Sequence, residues 1–152
     1  MLQLQWTIEG QTQLSRVLRN IGSEIKDWTP AFSDAAKDLV KVFSNDVFTT
    51  RGAAIGESWA PLRPRYLAQK TRAGFPSDPL VKTGAMQKSF KSMFKADYAE
   101  VWNSAVYFKY HQSKEARKVL PRRVMMKLGE NQKQTIVKIF HSYWQKKIKS
   151  ST

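Results

Sequence analysis

Residues 29–48 read TPAFSDAAKDLVKVFSNDVF. Pro30 suits the first position of a helix, where its missing N–H costs no intrahelical bond, and Thr29 is placed to cap the turn. Phe32, Ala36, Leu39, Val40, Phe43 and Val47 then recur at helical spacing, with Asp34, Lys37, Asp38 and Lys41 turned away. The spacing predicts a helix over residues 30–48 whose apolar stripe organises the rest of the fold.

Toward the N-terminus, Leu2, Leu4, Trp6 and Ile8 alternate with Gln3, Gln5 and Thr7, the period of a half-buried strand. Leu14, Val17, Leu18 and Ile21 return to helical spacing before Gly22, a natural stop. Toward the C-terminus, residues 51–79 hold four Pro and three Gly, which predicts a long loop with room for a short helix over residues 64–70. Residues 83–102, TGAMQKSFKSMFKADYAEVW, read as a β-hairpin. Met86, Phe90 and Phe94 share one parity, Tyr98, Glu100 and Trp102 form the return set, and Lys95-Ala96-Asp97 makes the connection. Met86, Phe90 and Met93 also fit a helical turn.

A short helix fits Tyr107–Gln112, and a last helix fits residues 130–148. In that helix Ile136, Val137, Phe140, Tyr143, Trp144 and Ile148 form a stripe edged by lysines. One α+β domain over residues 1–152 accommodates all of this. Its expected architecture is a small antiparallel sheet against the long central helix and the C-terminal helix, with a long Pro/Gly-rich loop.

The 152 residues suffice for a sizeable core, and five Trp, five Tyr and eight Phe supply bulky packing groups. The formal net charge is +14, and it is unevenly placed. Residues 1–50 carry five Lys/Arg against six Asp/Glu, whereas residues 51–152 carry twenty-one against six. The second part is therefore where a polyanion or an acidic protein surface would be met. No cysteine is present, which excludes disulfides and thiolate metal sites. Met1–Trp6 lacks the basic start and apolar run of a signal peptide, and no stretch approaches the ~20 apolar residues of a membrane span. A protein made in the cytoplasm, with no membrane partner, is expected.

Catalytic chemistry finds little support. The two histidines, His111 and His141, lie in no metal-spaced pattern, and the six acids beyond residue 50 are scattered. Neither a P-loop nor a dinucleotide fingerprint is present. His111, among Tyr107, Phe108 and Tyr110, lacks the nucleophile and orienting group that a general base needs. No enzyme, cofactor or metal is expected. Arg63, Arg65, Lys70 and Arg72 gather beside Trp59 and Tyr66, and Lys114, Arg117, Lys118, Arg122 and Arg123 form a second cluster. Both are candidates for subunit, partner or DNA contacts. Sequence-independent binding to a DNA backbone is the alternative function that they suggest.

A further pattern runs through the second half. Gly56-x-x-Trp59-x-Pro61-Leu62 is followed by Leu67-x-x-Lys70, and then by Leu80-x-x-Thr83-Gly84-x-Met86-x-x-Ser89-Phe90. Tyr107-x-x-Tyr110-His111-Gln112 and Leu120-Pro121-x-Arg123 come next, before the last helix. This order, across roughly residues 30–148, resembles the bacteriophage virion-morphogenesis proteins, the tail-completion and neck group found at head–tail junctions. The chain departs from the family's usual pattern in having Met86 in place of Leu, and Ser113-Lys114 where a Gly often follows His-Gln.

The resemblance implies a non-enzymatic structural protein of the virion neck or tail end, which forms a homo-oligomeric ring, six-fold, that joins or completes the tail. It implies neighbouring connector and tail proteins as partners, with genomic DNA in the channel as a secondary contact. Trp59, Leu62, Thr83, Gly84, His111 and Pro121 become scaffold residues of the motif under this reading.

Overall fold

The structure, a computed structural model, describes Leu14, residues 26–113 and residues 119–150. The strand expected over residues 2–8 lies outside the described residues, as does the helix after it apart from Leu14, which is helical and buried. The fold mixes helices with a two-stranded antiparallel sheet, and so belongs to the α+β class. The chain divides into two compact units, each discontinuous in sequence.

The first unit comprises residues 1–40, 92–102 and 127–152. Helix α1 spans Thr29–Lys41 and buries Ala31, Ala35, Ala36 and Leu39. Its cap differs from expectation. Asp27 Oδ1 accepts from both the backbone N–H and the hydroxyl of Thr29, at 3.0 and 2.6 Å, so Asp27 caps and Thr29 is capped. These two bonds hold the Asp27 carboxyl below its ordinary range, because they favour the charged form. The C-terminal helix of this unit, Glu130–Ser150, buries Gln132, Ile136 and Phe140. Phe32 meets Phe140 edge-on at 4.9 Å, and Trp28 stacks obliquely on Phe140 and Tyr143 at 5.4 and 5.5 Å. Tyr143 Oη donates to the Asp27 carbonyl at 2.9 Å, so the tip of that ring ties the long helix to the entry of α1.

The second unit comprises residues 41–91 and 103–126. It opens with a π segment, Val42–Asp46, in which the Val47 N–H reaches the Val42 carbonyl five residues back. That register aligns Val42 with Val47 and Phe43 with Phe48, and all four are buried. The single turn α2, Val47–Thr49, then ends in a Schellman motif. Gly52 N–H bonds the Val47 carbonyl and Arg51 N–H the Phe48 carbonyl, with Arg51 in the left-handed region at φ 52°. Gly52 follows at φ 87° and is packed so closely that a Cβ there would lie 1.8 Å from the Glu57 carbonyl oxygen. A 3-10 turn, Ala53–Ile55, and the helix α3, Pro64–Arg72, occupy much of the expected loop. Pro64 takes the first helical position.

Gly84, at φ 77°, turns the chain into a 3-10 helix, Gln87–Ser89, before strand β1, Phe90–Phe94, begins. The helical and hairpin readings of this stretch thus each describe part of it. Strand β2 is Ala99–Asn103. Its buried residues are Val101 and Asn103, so the inward parity is opposite to the Tyr98, Glu100 and Trp102 set. Asn103 explains the register: its Nδ2 donates to the Met86 carbonyl at 2.8 Å and its Oδ1 accepts from Ala105 N–H. Helix α4 covers Phe108–His111, and α5 is the Glu130–Ser150 helix of the first unit.

The core of the second unit is an aromatic chain. Phe43 and Phe48 contact Phe90, Phe90 meets Phe108 edge-on at 6.0 Å, and Phe48 meets Trp59 edge-on at 5.3 Å. Val124, Met125 and Met126 complete it, all but fully buried.

Candidate functional site

Two stretches far apart in sequence form the walls of one open groove in the second unit. Ala60–Arg63 and Tyr66 stand on one side and Val119–Pro121 on the other, around a volume of about 330 Å³. Arg123 joins the walls: its Nε donates to the Ala60 carbonyl at 2.9 Å and its Nη2 to the Pro61 carbonyl at 3.2 Å. Trp59, one residue before Ala60, is buried and anchors that wall from beneath. Its Nε1 donates to the Val124 carbonyl at 2.7 Å.

The His-Gln pair fixes the second wall from the other end. Gln112 Oε1 accepts from the N–H groups of Met125 and Met126, at 2.9 and 3.1 Å, while its Nε2 donates to the Met126 carbonyl at 2.6 Å. One side-chain amide thus mimics a strand partner for the extended backbone of Met125 and Met126. The His111 carbonyl accepts from Arg123 N–H. Its buried Nδ1 has no hydrogen-bond partner among the described residues. Burial first, and the Arg123 charge second, hold the His111 imidazole below its ordinary pKa of 6.5. It is a neutral, packed histidine.

The basic candidates separate into two classes. Arg63, Arg65 and Arg72 are exposed, with no acidic partner among the described residues. Lys70 and Arg123, expected at a partner or DNA surface, are instead turned inward, each 5% exposed. Lys70 Nζ donates to the Asp78 carbonyl at 2.5 Å, and Arg123 is held by the Ala60 and Pro61 carbonyls of the groove wall. Burial lowers the pKa of both, and for Lys70 the neighbouring Arg123 and Lys82 add to that while Asp78 opposes it. Arg122 is half-buried, donating to the Ser113 carbonyl at 2.6 Å and pairing with Glu57 at 3.3 Å. Lys114, Arg117 and Lys118 lie outside the described residues.

Among the scaffold residues, Leu62 and Pro121 are half-buried in the groove walls, and Thr83 and Gly84 form the turn before the hairpin. Val119, 83% exposed at the groove mouth, carries no sequence signal that singles it out. Its neighbour Leu120 belongs to the Leu-Pro-x-Arg motif. The described residues contain no cluster of three or more His, Asp or Glu able to hold a metal ion, and no helix long and apolar enough to cross a membrane. What the groove offers is apolar area beside positive charge, an arrangement suited to binding.

No curated protein and no solved structure matches the chain. The family model for phage virion morphogenesis matches residues 10–145, nearly the whole sequence, including both walls of the groove. That family supports a structural role in assembling the phage particle and an association with the virion. By this match the chain belongs to the phage virion morphogenesis family.

Proposed function

We propose that the chain is a non-enzymatic structural protein of the head–tail junction, a neck or tail-completion component that closes into a ring and joins or completes the tail. The observation that carries this reading is the family match over residues 10–145. A ring follows if subunits contact head to tail through two different surfaces and the rotation closes, six-fold being the number implied by the family resemblance. Its neighbours are connector and tail proteins, and its place is the neck or tail end of the virion. The excess of twenty-one Lys/Arg over six Asp/Glu beyond residue 50 supports acidic partner surfaces for that half.

Deleting the gene tests the reading. Heads and tails that fail to join, or tails with defective ends, are expected, and normal infectious particles overturn it. Sedimentation of the purified chain tests the ring: a closed oligomer is expected, and a strict monomer at all concentrations opposes it.

A second reading, sequence-independent DNA binding, is favoured by Arg63, Arg65 and Arg72, which are exposed beside Tyr66 without acidic partners among the described residues. It predicts tight duplex binding at about 50 mM salt that falls steeply as salt rises. Undetectable binding at that salt removes it.

A further inference from the structure

The groove of the second unit leaves two needs unmet. Its walls present Leu62, Leu120, Tyr66 at 47% exposure and Val119 at 83%, an apolar concavity open to water. Its rim, among the described residues, is positive. Arg123 and Arg122 have internal partners, but Arg63 and Arg65 have no acidic one among the described residues. These two arginines also flank the start of α3, which has no acidic residue in its first turn. The positive end of a helix dipole favours carboxylates there, so cations at that end are poorly placed until an anion arrives.

The occupant must therefore supply both an apolar side chain and negative charge. A second copy is disfavoured, because its net charge is +14 and even its residues 1–50, with five Lys/Arg against six Asp/Glu, are only balanced and offer the rim no strongly acidic surface. DNA would satisfy the arginines, but beyond the thymine methyl and the sugar carbons it has no bulky aliphatic group to bury against Leu62 and Leu120. A volume of about 330 Å³ suits one bulky side chain as an anchor.

We propose that the groove seats an extended acidic segment of a different protein of the phage particle, with one bulky apolar side chain between Leu62 and Leu120 and carboxylates at Arg63 and Arg65. This rests on the reading of the chain as an assembly component.

The test places the photo-crosslinking residue p-benzoylphenylalanine at Val119 in phage-producing cells, with a matched insertion at exposed Gln145 as control. The expected result is a Val119-specific adduct that peptide mapping assigns to an acidic segment of another virion protein. Introducing Arg63→Glu with Arg65→Glu should reduce that adduct at least about tenfold. Both positions are exposed, so the fold should persist, as an unchanged circular dichroism spectrum would verify. An adduct to a second copy or to DNA overturns the proposal, as does an adduct insensitive to charge reversal or none at all. Gene deletion separates this from the assembly reading. Particles that need the gene but give no Val119 adduct sink this inference alone, whereas normal particles without the gene sink the reading beneath it.

Discussion

The indole Nε1 of Trp59 donates to the carbonyl oxygen of Val124 at 2.7 Å, inside the core and across sixty-five positions of sequence. Trp59 also meets Phe48 edge-on, so one side chain joins the end of the helical stretch, the start of the groove wall and the buried Val124–Met126 segment. Trp59→Phe keeps most of the ring but leaves a buried carbonyl without its donor, a loss of about 1–3 kcal/mol. Trp59→Ala removes the packing as well and should cost about 3–5 kcal/mol. Urea unfolding of the three proteins checks the order. Equal midpoints for Phe and Trp would show that the bond contributes nothing.

Gln112 supplies one donor and one acceptor to the backbone of Met125 and Met126. Gln112→Ala strands three backbone groups and should destabilise by on the order of 2–3 kcal/mol, water reaching part of the site. Gln112→Glu is more informative. An ionised carboxylate still accepts from the two N–H groups but faces the Met126 carbonyl with an oxygen that cannot donate, whereas the protonated acid can. The Glu variant should therefore regain stability relative to wild type as pH falls and its carboxyl protonates. A pH-independent difference between the two proteins would contradict this geometry.

Much of the fold was legible because local signals agreed with it. Pro64 at a first helical position, the apolar stripe of residues 30–48 and the lysine-edged stripe of the last helix each give their element. The π segment was not legible, since pairs such as Phe43 and Phe48 differ from a helical stripe by a single residue of phase. Val124–Met126 shows no alternation because it is buried all round, and its role depends on Trp59 and Gln112 arriving from elsewhere in the chain. The groove was half legible. Arg63 and Arg123, one from each basic cluster, line it, yet sequence does not reveal that Arg123 spends its donors on Ala60 and Pro61, more than sixty positions away.

The two glycines Gly52 and Gly74 share a left-handed backbone but not an environment. Gly74, at φ 82°, has nothing within 4 Å of where a Cβ would stand, so Gly74→Ala should cost only the conformational strain, about 1–2 kcal/mol. At Gly52 the same atom would fall 1.8 Å from the Glu57 carbonyl oxygen and 2.7 Å from the Trp59 ring. Backbone and indole must both move, which breaks the Trp59–Val124 bond too. Gly52→Ala should lose the native fold of the second unit, read as broadened amide and indole NMR signals, while Gly74→Ala keeps its dispersion. Comparable spectra for the two variants would refute the packing argued for Gly52.

His111 makes folding sensitive to mild acid. Burial and the Arg123 charge lower its folded pKa below the ordinary 6.5 that the unfolded chain retains. Between those two values the unfolded chain holds a proton that the native protein lacks, so stability rises with pH across the window. The stabilising difference is fully present above 6.5 and shrinks as pH falls toward the folded pKa, below which it levels off. His111→Gln removes the titrating group and should flatten that part of the curve without abolishing folding, since the backbone bond from Arg123 N–H to residue 111 is kept. Denaturant midpoints for both proteins from pH 8 to pH 5 decide it. Parallel curves would show that His111 does not titrate between the folded and unfolded chains in this range, and would place the acid sensitivity in other groups.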